Sequence, residues 1–389
     1  MRNKRYTGGH KRLAPAIYGL LLALSVGACT APGPADLTRS GLHPSDFEGT
    51  VDSLPCHLYV ISNEAGMEAC ITNYGARLVS LLAPDREGHL GDVVLGFASI
   101  DDYTANSQNF GAVVGRYIGR ILGAEFTLEG ETYSLQRGGN GHCAHGGNPN
   151  YAARMWQATA VNDSSLTLNY LSPDGENGFP GNLDVYVTYT LTHDNALRLQ
   201  YRATTDRPTV INLTNHAFFN LNGDPTHEVT DQLLTVTADS ITAYDEKKCV
   251  TGEYIGVSGT AFDFRTPQAI GLHIDDDDPQ LNVTGGYDHC WTIGAGCADD
   301  PMSQPQATIT DPTSGRTMEV YTTEPGLHIY TANGLKGNLI GKDSIPLQRR
   351  TAVCFETCHF QNSPNLPQFP STALLPGETF SSTTVFKFK

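Results

Sequence analysis

The sequence has few charged residues, and basic residues are the scarcest of them. Charged side chains make up 17% of the 389 residues and hydrophobic ones 39%, which excludes a disordered protein because disordered chains are rich in charge and poor in apolar residues. Lys and Arg number 25 against 41 Asp and Glu, giving a net charge of -16. An acidic body repels phosphate backbones, so nucleic acid is excluded as the main partner.

Motifs of several common functional sites are also absent from the sequence. There is no Cys-x-x-Cys pair, which argues against a structural zinc site and against thioredoxin-like chemistry. The glycines of residues 115–121 do not form a phosphate loop, since neither the Lys-Ser/Thr ending nor a following helix is present. We therefore expect neither a bound metal nor a nucleotide cofactor.

The apolar run nearest the N-terminus, residues 16–24, is too short for a membrane helix, which takes about 20 residues. Basic residues precede it, and small residues lead from it to Cys29, as in a lipoprotein signal peptide. We predict a signal peptide over residues 1–28, lipidation of Cys29 and a Pro- and Gly-containing linker over residues 29–46. The alternative is an ordinary secretory signal. In both cases the protein is exported, and we expect a periplasmic or cell-surface location on a bacterial membrane.

The cysteines are compatible with an oxidising compartment. There are nine, and removal of the lipidation site leaves eight, an even number that allows disulfides. Cys56 and Cys70 are centred on Asn63, near turn residues 63–66, and would face each other if the flanking runs form a hairpin. A disulfide between them and two free thiols are equally compatible with the sequence.

Apolar residues alternate with polar ones through most of the chain. Residues 183–191 show this period of two, and residues 197–201 repeat it after a turn at residues 194–195, as in a β-hairpin. No long stretch has helical periodicity. We predict an all-β fold, a large antiparallel β-sandwich, in one domain over residues 47–389. The four acids of residues 275–278 suggest a solvated loop, with a calcium site as the less favoured alternative.

Five polar segments stand out against this background. They are residues 115–121, 142–147, 212–220, 286–291 and 353–360. Glu356 lies between apolar neighbours, and burial would raise its pKa toward the value that a general base needs near pH 7. His216 lies in an apolar, amide-rich strand, where an imidazole needs a partner or a function, although a satisfied core histidine is the alternative. Proton transfer between His and Glu on a neutral polar ligand is the chemistry that these residues suggest.

The order of these segments and their amino-acid sequences resemble those of the aldose 1-epimerases, or galactose mutarotases. The most specific stretch is residues 356–378, ETCHFQNSPNLPQFPSTALLPGE, and residues 260–265 (TAFDFR) and 174–180 (DGENGFP) add to it. The resemblance covers nearly all of the mature chain. It implies the galactose mutarotase-like supersandwich and an enzyme that interconverts the α and β anomers of a free aldohexose of galactose or glucose type, without a cofactor.

The resemblance also implies roles for individual residues. Glu356 would be the general base at the anomeric hydroxyl and His216 the general acid at the ring oxygen. The residues that would hold the sugar are Arg120, His145, Asp288, Phe218 and His328. Two of these depart from the family pattern, because Phe218 stands in place of a tyrosine and His328 in place of a substrate-binding glutamine. These departures affect sugar preference more than proton transfer.

Two alternative functions remain open from the sequence. A hexose-6-phosphate epimerase would need several convergent cations, whereas only Arg116 and Arg120 lie near the motifs. A non-catalytic sugar-binding module would have no use for both His216 and Glu356. We therefore expect an enzyme whose partner is a free monosaccharide. This enzyme would contact a membrane only through its lipid and would be a monomer or a weak dimer.

Overall fold

The alternation of apolar and polar residues produces strands with one buried face. In Leu183–Leu191 every second residue is buried, and Ala196–Thr205 has a similar pattern. The two strands pair as an antiparallel hairpin across a turn at Asn195, whose φ of 60° is the left-handed conformation that asparagine tolerates. The computed structural model describes residues 37–106, 108–294 and 301–389.

Strands are the main regular secondary structure of the described residues. They are β1 (Gly49–Val51), β2 (Leu54–Cys56), β3 (Leu58–Ser62), β4 (Glu68–Thr72), β5 (Arg77–Pro84), β6 (Leu90–Asp92), β7 (Val94–Leu95), β8 (Val113–Val114), β9 (Arg120–Ile121), β10 (Glu125–Leu128), β11 (Glu131–Ser134), β12 (Cys143–Ala144), β13 (Gln157–Asn162), β14 (Ser165–Ser172), β15 (Leu183–Leu191), β16 (Ala196–Thr205), β17 (Thr209–Val210), β18 (Thr214–Asn215), β19 (Phe218–Phe219), β20 (Leu233–Val236), β21 (Ser240–Tyr244), β22 (Val250–Gly256), β23 (Gln268–Ala269), β24 (Asp288–Thr292), β25 (Ala307–Thr310), β26 (Thr317–Thr322), β27 (Gly326–Tyr330), β28 (Val353–Cys358), β29 (Ala373–Leu374) and β30 (Phe380–Phe388).

Helices are short throughout the described part of the chain. The α-helices are α1 (Ile100–Ala105) and α2 (Pro279–Thr284). The 3-10 helices are Pro44–Phe47, Leu122–Ala124, Tyr151–Ala153, Glu176–Gly178, Val229–Asp231, Ile270–Leu272, Lys342–Ser344 and Ser363–Asn365. Among these elements no helix is both long enough and apolar enough to cross a membrane.

Two large sheets form the framework. One has nine strands in the order β13-β14-β15-β16-β30-β26-β25-β20-β23, and the other has seven in the order β22-β21-β24-β27-β28-β19-β7. The pairings within both are antiparallel. A four-stranded sheet, β3-β4-β5-β6, and five two-stranded sheets complete the described strands. The prediction of an all-β fold with large antiparallel sheets is confirmed.

The main core contains apolar side chains from both large sheets. The rings of Phe219 on β19 and Phe386 on β30 lie 4.9 Å apart between their centroids, so the seven-stranded and nine-stranded sheets touch there. Trp291 and Leu327 from one sheet and Leu199 from the other are almost fully buried in the same core. Each fully buried side chain of this size stabilises the fold by about 1.5–3 kcal/mol relative to an exposed one.

The residues just before the predicted domain are part of the folded structure. Residues 37–46 fall within the predicted linker, yet Leu42 and the following Phe47 are buried. The backbone N–H groups of Arg39 and Ser40 donate to the carboxylate of Glu68 on β4. Apolar side chains and a carboxylate acceptor therefore order a stretch that its composition suggested was a flexible linker. The predicted signal peptide, residues 1–28, and Cys29 lie outside the described residues.

The disulfide between Cys56 and Cys70 is not formed, and both residues are free, buried thiols. The predicted hairpin is present, since β3 and β4 pair across the turn, but its register places Val60 rather than Cys56 opposite Cys70. Cys56 lies at the end of β2, with its Sγ 3.5 Å from Thr72 Oγ1. The symmetry about Asn63 in the sequence was therefore a misleading guide to the register.

The run of four acids, residues 275–278, lies in the loop directly before α2. Asp275 receives two hydrogen bonds from the guanidinium of Arg350. Asp278 caps α2 by accepting from the backbone N–H groups of Gln280 and Leu281. Residues 275–277 are exposed, which fits the solvated-loop prediction, although the carboxylates at both ends of the run also have partners within the protein.

Candidate active site

Three neighbouring strands of the seven-stranded sheet bring polar side chains to one face. Glu356 lies in β28, where every residue is buried. His328 on β27 lies directly opposite Glu356, and Asp288 on β24 lies opposite Tyr330. Side chains two residues apart in a strand share a face, as do residues opposite each other in adjacent strands. The four side chains therefore project in the same direction.

These side chains line a cavity of about 250 Å³. All seven residues predicted to act in catalysis or sugar binding line it, namely Arg120, His145, His216, Phe218, Asp288, His328 and Glu356. The other lining residues are Gln108, Asn109, Ile118, Gly119, Tyr330, Gly334, Leu335, Cys358 and Gln361. The structure thus collects into one pocket residues that are spread over more than half of the sequence.

Three neighbouring rings and one thiol contact the imidazole of His216. Its ring stacks on Phe218 at 5.0 Å between centroids and meets the rings of His145 and Tyr330 edge-on. Its Nδ1 lies 3.6 Å from Sγ of Cys354. With its rotation restricted in this way, the imidazole keeps Nε2 directed toward the carboxyl of Glu356. Phe218, which the sequence predicted as a sugar contact, packs against this imidazole.

His216 and Glu356 form the central pair of the pocket, with Nε2 and Oε1 3.5 Å apart. Burial raises the pKa of Glu356 to about 8, although the charge of His328 partly opposes this. Burial, followed by electrostatic repulsion from His145 and His328, lowers the pKa of His216 to about 3. At neutral pH the proton of the pair therefore lies on Glu356, and the two groups are not an ion pair in the free protein.

Asp288 and His328 form a second pair, joined by a hydrogen bond of 2.8 Å between Oδ1 and Nε2. Burial would lower the pKa of His328, but the hydrogen bond to Asp288 outweighs it and the pKa rises to about 10. Burial would raise the pKa of Asp288, but the hydrogen bond from His328 and its charge hold that pKa below its usual range. This pair is therefore charged at neutral pH.

Arg120, on β9, and His145, directly after β12, line the pocket from outside the seven-stranded sheet. The backbone N–H of Arg120 donates to Oε1 of Gln361, and its guanidinium makes no hydrogen bond or ion pair with any residue that the structure describes. Burial and then the charge of Arg120 lower the pKa of His145 to about 4, so this imidazole is neutral. Its Nδ1 accepts from the N–H of Gly119, which leaves the proton on Nε2. Both side chains are thus free to donate to a ligand.

Arg116, the other arginine of the glycine-rich segment, has a structural role. It is buried, and its guanidinium donates to the carbonyl oxygens of Pro180 and Gly181 and to Ser172. It joins the segment of residues 174–180 to the loops around the pocket. It does not line the cavity.

One set of pocket residues resembles a metal site in composition. His216, Cys354 and Glu356 offer atoms that lie within 4.8 Å of one another. However, Cys354 approaches Nδ1 of the imidazole, whereas Glu356 approaches Nε2. Burial raises the pKa of Cys354 well above its ordinary value, so its thiol keeps its proton. This set suits proton transfer by His216 and Glu356 better than metal binding.

The sequence did not single out Tyr330 and Gln361, which also line the pocket. Tyr330 is two residues from His328 on β27, so the alternation along that strand was a signal that it shares the same face. Gln361 binds both the N–H of Arg120 and the hydroxyl of Tyr244. It lies within residues 356–378, but only the three-dimensional structure reveals these two contacts.

Comparisons with known proteins find relatives that match most of the chain. The family model "Aldose 1-epimerase" matches residues 57–387. Galactose mutarotase of Sus scrofa is 38% identical over 318 residues, covering 82% of this chain and 90% of that protein. Aldose 1-epimerase of Escherichia coli K12 is 34% identical over 339 residues, covering 87% and 96%. The structure of galactose 1-epimerase from Lactobacillus acidophilus NCFM superposes with a TM-score of 0.76 at 26% identity, covering 88% of this chain and 96% of that one.

Proposed function

Since the chain belongs to the aldose 1-epimerase family and is an isomerase that interconverts the anomers of aldoses, we propose that Glu356 and His216 transfer the protons of this reaction. The observation that carries the proposal is the buried pair itself. A carboxyl and an imidazole lie 3.5 Å apart at the wall of a polar pocket. A sugar bound there would present its anomeric hydroxyl and its ring oxygen to the two groups.

The proposed reaction opens and closes the sugar ring. The carboxylate of Glu356 takes the proton from the hydroxyl on C1, and His216 delivers a proton to the ring oxygen as the bond between C1 and the ring oxygen breaks. The aldehyde turns about the bond from C1 to C2, and closure on its other face gives the other anomer. Each positioned acid or base contributes a factor of about 10²–10⁴ to the rate.

The proton distribution of the free protein is consistent with such a pair. The proton lies on Glu356 at neutral pH, while His216 is neutral. Transfer of that proton from Glu356 to His216 creates the base and the acid together, and the new negative charge on Glu356 favours the protonated form of the imidazole beside it. The two groups therefore act as one coupled unit.

We further propose that the substrate is a free aldohexose of galactose or glucose type. Asp288 and His328 neutralise each other, so Arg120 is the one lining cation without a carboxylate partner among the residues that the structure describes. A phosphate group would require several convergent cations. Neutral hydroxyls suit a wall of hydrogen-bonding groups such as His145, Asp288 and Arg120.

Polarimetry of freshly dissolved α-D-glucose and α-D-galactose tests this function. The purified protein should accelerate the decay of optical rotation, and the variants Glu356→Gln and His216→Asn should lose the acceleration while still binding sugar. Rates that remain unchanged in both variants would contradict the assigned roles. Sugar binding without any acceleration by the unmodified protein would point instead to a sugar-binding module.

We also propose that the enzyme acts outside the cytoplasm, tethered by a lipid on Cys29. The support is the basic and apolar N-terminal sequence that ends in small residues before that cysteine. Growth of the producing bacterium with radiolabelled palmitate should label the protein, and Cys29→Ala should abolish the label. Retention of an unlabelled, uncleaved chain in the cytoplasm would contradict the proposal.

A further inference from the structure

Three side chains that bind metals in proteins meet at a place that the mutarotase mechanism does not use. His227 lies two residues before the 3-10 helix Val229–Asp231, Asp231 is the last residue of that helix, and Asp311 follows β25 in the turn to β26. One ligand atom from each lies within 4.8 Å of the other two. None of the three lines the sugar pocket.

Asp311 is the unusual member of this group. Asp311 is fully buried, and its Oδ1 has no hydrogen-bond partner among the described residues. Oδ2 accepts from the backbone N–H of Ser314. A buried carboxylate with an unpaired oxygen is costly unless a positive charge or a metal compensates it. Its position therefore suggests a missing partner.

The nearby arginine does not supply that partner. Arg316 attracts Asp311 electrostatically. However, its guanidinium donates its hydrogen bonds to backbone carbonyls, those of Ala83, His89, Leu221 and Asn222. The free oxygen of Asp311 is left without a donor from this side chain.

The other two members are already close to each other and accessible. Nε2 of His227 lies 3.0 Å from Oδ2 of Asp231, and both side chains are partly exposed. An ion from solvent can therefore reach them. Other His–Asp contacts exist on the surface, such as His273 with Asp276 at 2.8 Å, but that pair has no buried third carboxylate in its cluster.

We propose that His227, Asp231 and Asp311 bind a divalent cation, with Zn²⁺ as the best fit. One imidazole and two carboxylates, completed by water, are ligands that zinc accepts in tetrahedral sites. Mg²⁺ and Ca²⁺ prefer ligand sets made of oxygen alone. The ion would neutralise the two carboxylates and tie the segment after β19 to the turn between β25 and β26.

Thermal unfolding of the full chain, first stripped with EDTA, tests the site. Addition of Zn²⁺ at about one hundred times its dissociation constant should raise Tm by about 4 °C, because an ion that binds only the folded state stabilises it. Titration calorimetry should show one tight site. The variants His227→Gln and Asp311→Asn should lose both the rise in Tm and the tight site, and should keep the mutarotase activity of the unmodified protein.

The matched control is His273→Gln, which removes an imidazole from a similar surface pair that lacks the buried third ligand. This variant should respond to Zn²⁺ as the unmodified protein does. The proposal is overturned if Zn²⁺ leaves Tm of the unmodified protein unchanged, or if its effect survives in His227→Gln. It is also overturned if Ca²⁺ stabilises as strongly as Zn²⁺ at equal concentration, since that would indicate a site made of carboxylates alone.

Discussion

Glu356 must pass its proton to His216 before it can accept one from the sugar, and this transfer leaves the number of protons on the pair unchanged. With a pKa raised to about 8 by burial, Glu356 keeps this proton up to about pH 8. Above that pH the pair loses the proton to solvent, and His216 then has none to deliver to the ring oxygen. We predict that kcat/KM is level from about pH 6 to about pH 7 and falls about tenfold for each pH unit above about pH 8, because this quantity reports groups of the free enzyme. Initial rates, corrected for spontaneous mutarotation at each pH, measure it. A kcat/KM that rises through pH 8 would contradict the assignment of acid and base to this pair.

His328 should shift that profile. Its positive charge lowers the pKa of Glu356, so the variant His328→Gln should move the falling limb of the kcat/KM profile to higher pH. Tyr330→Phe is the control, since Tyr330 lies on the same strand and lines the same pocket but is neutral. Its limb should coincide with that of the unmodified enzyme. An equal shift in both variants would mean that general disturbance of β27, rather than charge, changes the pKa.

The same buried carboxyl should reduce stability at alkaline pH. Because the folded-state pKa of Glu356 lies above the ordinary value, the folded protein binds more protons than the unfolded chain between about pH 4.5 and pH 8. The free energy of unfolding therefore falls as pH rises through this window. Glu356→Gln carries no such charge, so its Tm should exceed that of the unmodified enzyme by more at pH 8.5 than at pH 5. Thermal unfolding at both pH values decides this, and an equal difference at both would exclude the linkage.

At the scale of elements, the loop before β9 passes so close to Gln361 that it requires a glycine at position 119. Gly119 has a φ of 74°, and a Cβ there would lie 2.3 Å from Cγ of Gln361. Gly123 has a φ of 66° but nothing within 4 Å of such a Cβ. We predict that Gly123→Ala costs about 1–2 kcal/mol through backbone strain, and Gly119→Ala about 1–3 kcal/mol more through the clash. Urea unfolding compares the two variants.

Only Gly119→Ala should also affect catalysis. Displacement of Gln361 would remove the acceptor for the backbone N–H of Arg120 and so disturb a sugar-binding side chain. An increase in KM is expected for this variant and none for Gly123→Ala. If the two variants had equal free energies of unfolding and equal KM values, Gln361 would be able to move away from the new Cβ without affecting stability or sugar binding.

The elements also show how far the sequence could predict this molecule. Alternation correctly predicted strands such as Leu183–Leu191, because burial of one face is a local pattern. It could not predict that β16 pairs with β30, since that strand lies at the C-terminal end of the chain, far from β16 in sequence. The cysteine pair did not form for a local reason. The turn closes between Asn63 and Met67, so Ser62 pairs with Glu68 and the hairpin is not centred on Asn63. The site residues were predicted from sequence motifs of the family. The contacts of Gln361 with Arg120 and Tyr244 join distant parts of the chain, so no local pattern predicts them.

At the scale of the whole molecule, the pocket depends on distant parts of the chain meeting correctly. Arg120 and His145 come from the β9 and β12 region, and His216 lies just before β19. Asp288, His328 and Glu356 come from adjacent strands of the seven-stranded sheet. No single segment contains a working acid, base and sugar-binding group together. Catalysis should therefore be lost in the same transition as folding.

The N-terminal residues 37–46 test how far the folded unit extends beyond the domain that the sequence predicted. Their deletion removes the burial of Leu42, worth about 1.5–3 kcal/mol, and two backbone donors to the buried Glu68, worth about 1 kcal/mol each. We predict a loss of about 3–5 kcal/mol in the free energy of unfolding, measured with urea. Arg39→Ala keeps both donors and loses one exposed contact, to Gly66 O, so it should cost less than about 0.5 kcal/mol. A deletion no more costly than Arg39→Ala would show that this segment is a linker after all.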